Sequence, residues 1–108
     1  MTTNPQQIAE KRLIGQTVLI RDDLAGVYVG TLDAIDVAEQ TAVLTGARQV
    51  WSWEGAAATP GIAARGLTHS GSRVGPVTEV VALGKVCAAI LCTQEGAASV
   101  MGAPVWMS

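Results

Sequence analysis

The sequence predicts an α+β fold, a small antiparallel β-sheet of about six strands with two short helices. Three observations carry that expectation. Short runs rich in Val, Ile, Leu and Thr recur at regular spacing between Gly and Asp turns. Two sites, Thr59-Pro60 and Thr93, carry helix-start signals and are followed within about eight residues by glycine. Finally, 108 residues that are 49% hydrophobic and 15% charged describe one folded domain with a real core, not a disordered chain.

Each element follows in order. About a dozen polar residues, from MTTNPQQ onward, read as a mobile lead without a signal-peptide core. Thr17 to Arg21 (TVLIR) is the first strand, and Asp22, Asp23 and Ala25-Gly26 turn the chain. Val27 to Ile35 is the second, with Gly30 marking a bulge or a close backbone approach. Asp36 to Gln40 turns again before Thr41 to Thr45, the third strand. Val50-Trp51-Ser52-Trp53 is the fourth, and period-two geometry sets Trp51 and Trp53 on one face. Thr59 then caps a short helix that places Pro60 at its first position and stops at Gly66. Leu67 to Pro76 (LTHSGSRVGP) reads as a flexible loop. Val77 to Leu83 and Val86 to Cys92 are two more strands around Gly84-Lys85. Thr93 caps a last helix running to about Met101 and ended by Gly102, and Pro104-Val105-Trp106 is an extended apolar tail.

Composition narrows the function. A net charge of −2 argues against a nucleic-acid polymer, which calls for a basic stripe. No run of about eighteen apolar residues is present, so no membrane span is expected. Low charge on a small domain suggests that a second subunit covers part of the surface. Cys87 and Cys92 are five residues apart, on opposite faces of one strand, and match no common zinc spacing; two reduced thiols in a cytosolic protein are expected.

Catalytic signatures are lacking. His69 is the lone histidine, Asp22 and Asp23 read as turn formers, and no HExxH, CxxC, P-loop or nucleophile-elbow pattern occurs. Neither an enzyme nor a metal or cofactor site is expected. Binding groups are better represented. Arg21, Arg48, Arg65 and Arg73 stand beside turns or element ends, where guanidinium groups can grip phosphate; the alternative for each is a solvated surface charge. The helix starts near Thr59 and Thr93 offer free backbone N–H groups to an anion, as every helix start does. Trp51, Trp53, Tyr28 and Trp106 are the available stacking surfaces. Against this, Trp51 and Trp53 are the natural filling for the centre of a sheet in a chain with no Phe and one Tyr.

Three stretches carry a family resemblance: RDDLAGVYVG from Arg21 to Gly30, ARQVWSWEGAAA from Ala47 to Ala58, and the closing Cys92-Thr93 with Pro104-Val105-Trp106. In this order they resemble the Thoeris anti-defence protein one family of small phage proteins. Ala58 stands where that family commonly has serine and Ser52 where it has tyrosine. The resemblance implies that residues 1–108 form a single cyclic-nucleotide-binding domain acting as a sponge in the bacterial host cytoplasm. Such a protein captures cyclic ADP-ribose isomers made by TIR enzymes and returns them unaltered, so the NAD-consuming effector stays silent. It also implies a homo-oligomer, dimer or hexamer, with pockets between subunits. Some members of the family additionally sequester the cyclic di- and trinucleotides of CBASS, a second class of ligand. Mapped onto this sequence, Arg21 and Arg48 are expected at phosphate and Tyr28 at the ligand or the neighbouring chain. Trp51 and Trp53 support or line the pocket, Arg65 and Arg73 flank a closing loop, and Thr93 donates at a second site. The alternative is a small oligomeric structural or adaptor protein of phage origin.

Overall fold

A computed structural model describes residues 4–106. The chain runs α1 (Pro5–Arg12), β1 (Thr17–Asp22), β2 (Gly26–Asp36), β3 (Thr41–Glu54), α2 (Thr59–Arg65), β4 (Thr68–Val74), β5 (Thr78–Leu83), β6 (Val86–Leu91), α3 (Gln94–Met101). Six antiparallel strands in one sheet with three short helices make the fold α+β.

β1, β2 and β3 form the expected meander, but the third and fourth predicted strands are one continuous strand of 14 residues. Gly46, at φ +56°, absorbs the irregularity in its pairing with β2. Opposite it, a Cβ on Gly30 would lie 2.6 Å from that of Ala47, so the glycine marks a close approach of two strands. The outer edge of β3 is long enough to hold two strands in succession. β5 takes its first half, from Ala42↔Leu83 to Ala47↔Thr78, and β4 takes its second, from Val50↔Val74 to Glu54↔Thr68.

β5 and β6 join through Gly84-Lys85, yet they diverge, β5 pairing with β3 and β6 with β1. That divergence curls the sheet around a first core of Val18, Ile20, Leu32, Leu44, Leu83 and Val86. α2 and α3 cover the opposite face over a second core, in which Leu19, Val29, Val50, Ile62, Val74 and Val100 meet. β1 is therefore buried on both sides, Val18 and Ile20 facing one core and Leu19 the other. Each such side chain contributes about 1.5–3 kcal/mol on burial.

Asp22 fastens the curl. Its buried carboxylate accepts from the backbone N–H groups of Leu24 (2.9 Å), Ala25 (2.8 Å) and Lys85 (2.9 Å), tying the β1–β2 turn to the β5–β6 turn. Burial works to raise its pKa, but the three N–H donors and the nearby Lys85 outweigh it, and the carboxyl is held below its ordinary value.

Three local expectations are corrected. The polar lead contains α1, because Asn4 and Gln7 form a capping box around Pro5 at the start of the helix. Gln6 pins that helix to the sheet, donating to Ile35 O (2.8 Å) and accepting from Val37 N (2.7 Å). The predicted loop at 67–76 is largely β4, held by the free second half of β3, with Gly71 at φ +85° supplying its kink. α2 starts from Ala58 rather than from a Thr59 cap, although it ends at Gly66 (φ +91°) as expected. α3 follows its predicted bounds, with Thr93 accepting from Gly96 N at 3.0 Å. No described helix is long and apolar enough to cross a membrane.

Candidate functional site

The pairing of β3 with β4 steps two residues on β3 against one on β4 between Val50 and Ser52, a bulge with Trp51 as the extra residue. A bulge interrupts alternation, so the two tryptophans do not share a face as the sequence had suggested. Trp53 returns to the α2–α3 side, half-buried against that core, its indole N–H donating to Ala56 O at 3.0 Å. Trp51 is turned out to solvent at 60% exposure. For a ring of that size, such exposure leaves a face free to meet another molecule.

Two residues join Trp51. The tail after α3 returns beside β4, where Val105 bridges Val74 and Trp106 N donates to Val74 O at 2.8 Å. This sets the Trp106 ring 5.6 Å from Trp51, tilted by 43°. Arg73, one residue before Val74 on β4, lays its guanidinium 5.0 Å from the centre of the Trp106 ring. The result is an open ridge of two indoles and one exposed cation. Chemically it suits a planar, anionic molecule: aromatic faces to stack a base, and a guanidinium whose donors can fork onto phosphate.

The other expected site residues lie elsewhere. Arg48 is the clearest correction. It is 2% exposed, and two of its three nitrogens bond the backbone: Nε donates to Gly75 O (2.7 Å), and Nη1 to Val100 O (3.0 Å), Met101 O (3.1 Å) and Ala103 O (2.6 Å), while Nη2 is buried without a partner among the described residues. The three carbonyls on Nη1 close the C-terminal end of α3, the negative end of its dipole, so Arg48 is a helix cap built from the sheet. Burial pushes its pKa below the ordinary guanidinium value.

Arg21 is exposed on β1, which β2 separates from β3, so in-sheet spacing sets it about 10 Å from that strand. Tyr28 is half-buried and packs on the core inside the curl. Arg65 is exposed in the last turn of α2, where a cation complements the helix dipole. Thr93 is committed to structure, its hydroxyl donating to Ala64 O at 2.6 Å while it caps α3. Of the eight expected site residues, Trp51 and Arg73 are therefore brought together, and the third member, Trp106, was among the stacking candidates without a place in the site. Its signals were an aromatic in an apolar tail and a place in the closing Pro104-Val105-Trp106 motif of the resemblance.

His69 donates from Nε2 to Ser99 O at 2.8 Å, and no group of three or more potential metal ligands occurs among the described residues. No curated protein and no solved structure matches the chain. Residues 15–100, which span the whole sheet and nearly all of α3, match the model of a domain of unknown function (DUF6948), and the chain belongs to that family.

Proposed function

We propose that this protein is a sponge for a cyclic ADP-ribose isomer, holding the signal of a TIR enzyme in the bacterial host cytoplasm without converting it. The observation that carries the reading is the solvent-facing ridge of Trp51, Trp106 and Arg73. Cyclic ADP-ribose presents an adenine face and a diphosphate, and the ridge offers a partner for each. Stacking of the base on one indole is worth about 1–3 kcal/mol. Arg73 can leave the Trp106 face or fork from it onto a phosphate oxygen. The sequence resemblance to the anti-defence family points the same way.

A ridge covers one side of a ligand. Stoichiometric capture needs nanomolar affinity, about −12 kcal/mol, and an open platform does not supply that alone. The proposal therefore includes a homo-oligomer, with a second subunit covering the bound ring. Cyclic di- and trinucleotides share the base-plus-phosphate chemistry and belong to the same proposal as further ligands.

The test is a thermal melt of the purified protein with and without a cyclic ADP-ribose isomer, followed by denaturing release. Linkage predicts a gain of about 2.7 kcal/mol at a hundredfold excess over the dissociation constant, and intact nucleotide in the released fraction. Trp51→Ala removes an exposed ring, so it abolishes the ligand-induced shift while moving the unliganded melt little. An unshifted melt with every cyclic nucleotide tried refutes the sponge and favours the structural adaptor. Recovery of a linear product identifies an enzyme.

A further inference from the structure

β6 ends the sheet. It pairs with β1 alone, and its alternation is fixed by Cys92 N, which donates to Thr17 O at 3.0 Å. Counting back in steps of two, residues 92, 90 and 88 face β1, so the N–H and C=O groups of Ala89 and Leu91 point outward. Among the described residues nothing bonds to them. Gln40 closes only the near end of this edge, its carbonyl accepting from Val86 N at 2.8 Å and its amide donating to Val86 O at 3.3 Å. The strand itself, VCAAIL, has no charge and no proline, the usual guards of an open edge.

A cleft of about 350 Å³ runs along this edge, between β6 and α1, with apolar walls from Pro5, Ile8, Leu13, Ile35, Val37 and Ala89. Because Gln6 clamps α1 to the β2–β3 turn, the cleft is a fixed width of the fold. An open strand edge facing a helix across an apolar trough is the geometry of strand addition: the edge recognises extended backbone, and the trough takes alternate side chains.

Charge selects the occupant. The single charged side chain in the lining is Asp36, at the Val86 end, its Oδ1 accepting from the backbone N–H of Glu39 at 3.0 Å. A second copy pairing β6 to β6 antiparallel would bring VCAAIL, a strand with no cation to meet Asp36. We infer that the β6–α1 cleft is a docking site for an extended peptide of a different protein. That peptide runs antiparallel to β6, with aliphatic side chains at alternate positions and an Arg or Lys near its C-terminal end, over Asp36. This site is separate from the aromatic ridge and does not rest on the sponge reading.

The experiment titrates the intact protein into dye-labelled peptides of alternating Thr and Val, Ile or Leu that end in Arg, with Glu-ending twins as controls. Anisotropy and amide NMR are read together. The Arg probes are expected to bind saturably, to shift the Ala89 and Leu91 amides, and to bind at least tenfold more tightly than their Glu twins. Ala89→Pro deletes an outward N–H without touching the β1 ladder, and it abolishes binding while the protein still melts cooperatively. Asp36→Lys, on an exposed turn, reverses the Arg-over-Glu preference and covers the case in which the proline variant does not fold. Equal binding of Arg and Glu probes overturns the inference, as does binding unaffected by both variants. Unmoved Ala89 and Leu91 amides with every probe also overturn it. So does a concentration-dependent shift of those amides without peptide, which would give the edge to a second copy.

Discussion

Replacing Arg48 with alanine is the sharpest test of how this molecule is held together. The guanidinium satisfies four carbonyls at 2.6–3.1 Å and joins β3, the β4–β5 connection and the end of α3. Hydrogen bonds to a charged donor are worth about 1.5–3 kcal/mol each, but much of that is offset by the desolvation of a buried cation. Truncation also strands the C-terminal carbonyls of α3 in a cavity. Together these give a loss of about 3–4 kcal/mol, a large part of the stability of a domain this size. With about 4 °C or more per kcal/mol, the melting temperature falls by at least about 12 °C. Arg48→Lys retains the charge but not the fork, so it recovers only part of the loss. Differential scanning calorimetry measures the drop, and hydrogen exchange locates it: α3 amides lose protection first. A melt within about 3 °C of the parent would refute the capping role. It would return Arg48 to the phosphate-binding role that the family resemblance implies.

Three further outcomes follow from particular contacts. Because the Asp22 carboxyl is held below its ordinary pKa, its contribution is complete above the unfolded value of about 3.9 and disappears as pH falls through the lower folded value. Asp22→Ala costs about 2–4 kcal/mol near neutral pH and flattens the acid limb of the stability curve, which urea melts from pH 7 to 2 resolve. Cys87 is exposed while burial raises the Cys92 thiol to about 11, so iodoacetamide at pH 8 labels Cys87 in the native protein and reaches Cys92 only on unfolding, as peptide mass spectrometry can score. A Cβ on Gly96 would overlap the carbonyl of Ala63 where α3 crosses α2, so Gly96→Ala lowers stability by about 1–3 kcal/mol in a chemical melt.

β1, β2, β5 and β6 were legible because apolar, β-branched runs and the Gly and Asp turns between them are local properties. So was α3, whose capping threonine and closing glycine lie within its own ten residues. α1 announced itself in Asn4-Pro5 and Gln7, but its polar composition masked the signal. β4 was not legible, because THSGSRV has the composition of a loop and becomes a strand only where β3 offers an unpaired edge. The candidate site divided in the same way. Residue type marked Trp51 and Arg73 as binders, yet nothing local distinguishes Arg73 from Arg48. One overlies a ring in solvent and the other is sealed beneath a helix end, and the difference lies in contacts 27 to 55 residues distant in sequence. The bulge at Trp51 is likewise a property of two strands, not of one.

The ladder between β1 and β6 sets a schedule for biosynthesis. β1 leaves the ribosome well before its partner strand, because the Leu91 that pairs with Val18 is made 73 residues later. Until then one side of a strand whose centre is buried on both faces has no mate, and the curl cannot shut. Such long-range closure is slow to nucleate, since the entropy of the intervening chain must be lost before the ladder forms. Over that interval the nascent domain is an unfinished meander that exposes the apolar part of TVLIR, the kind of surface chaperones shield.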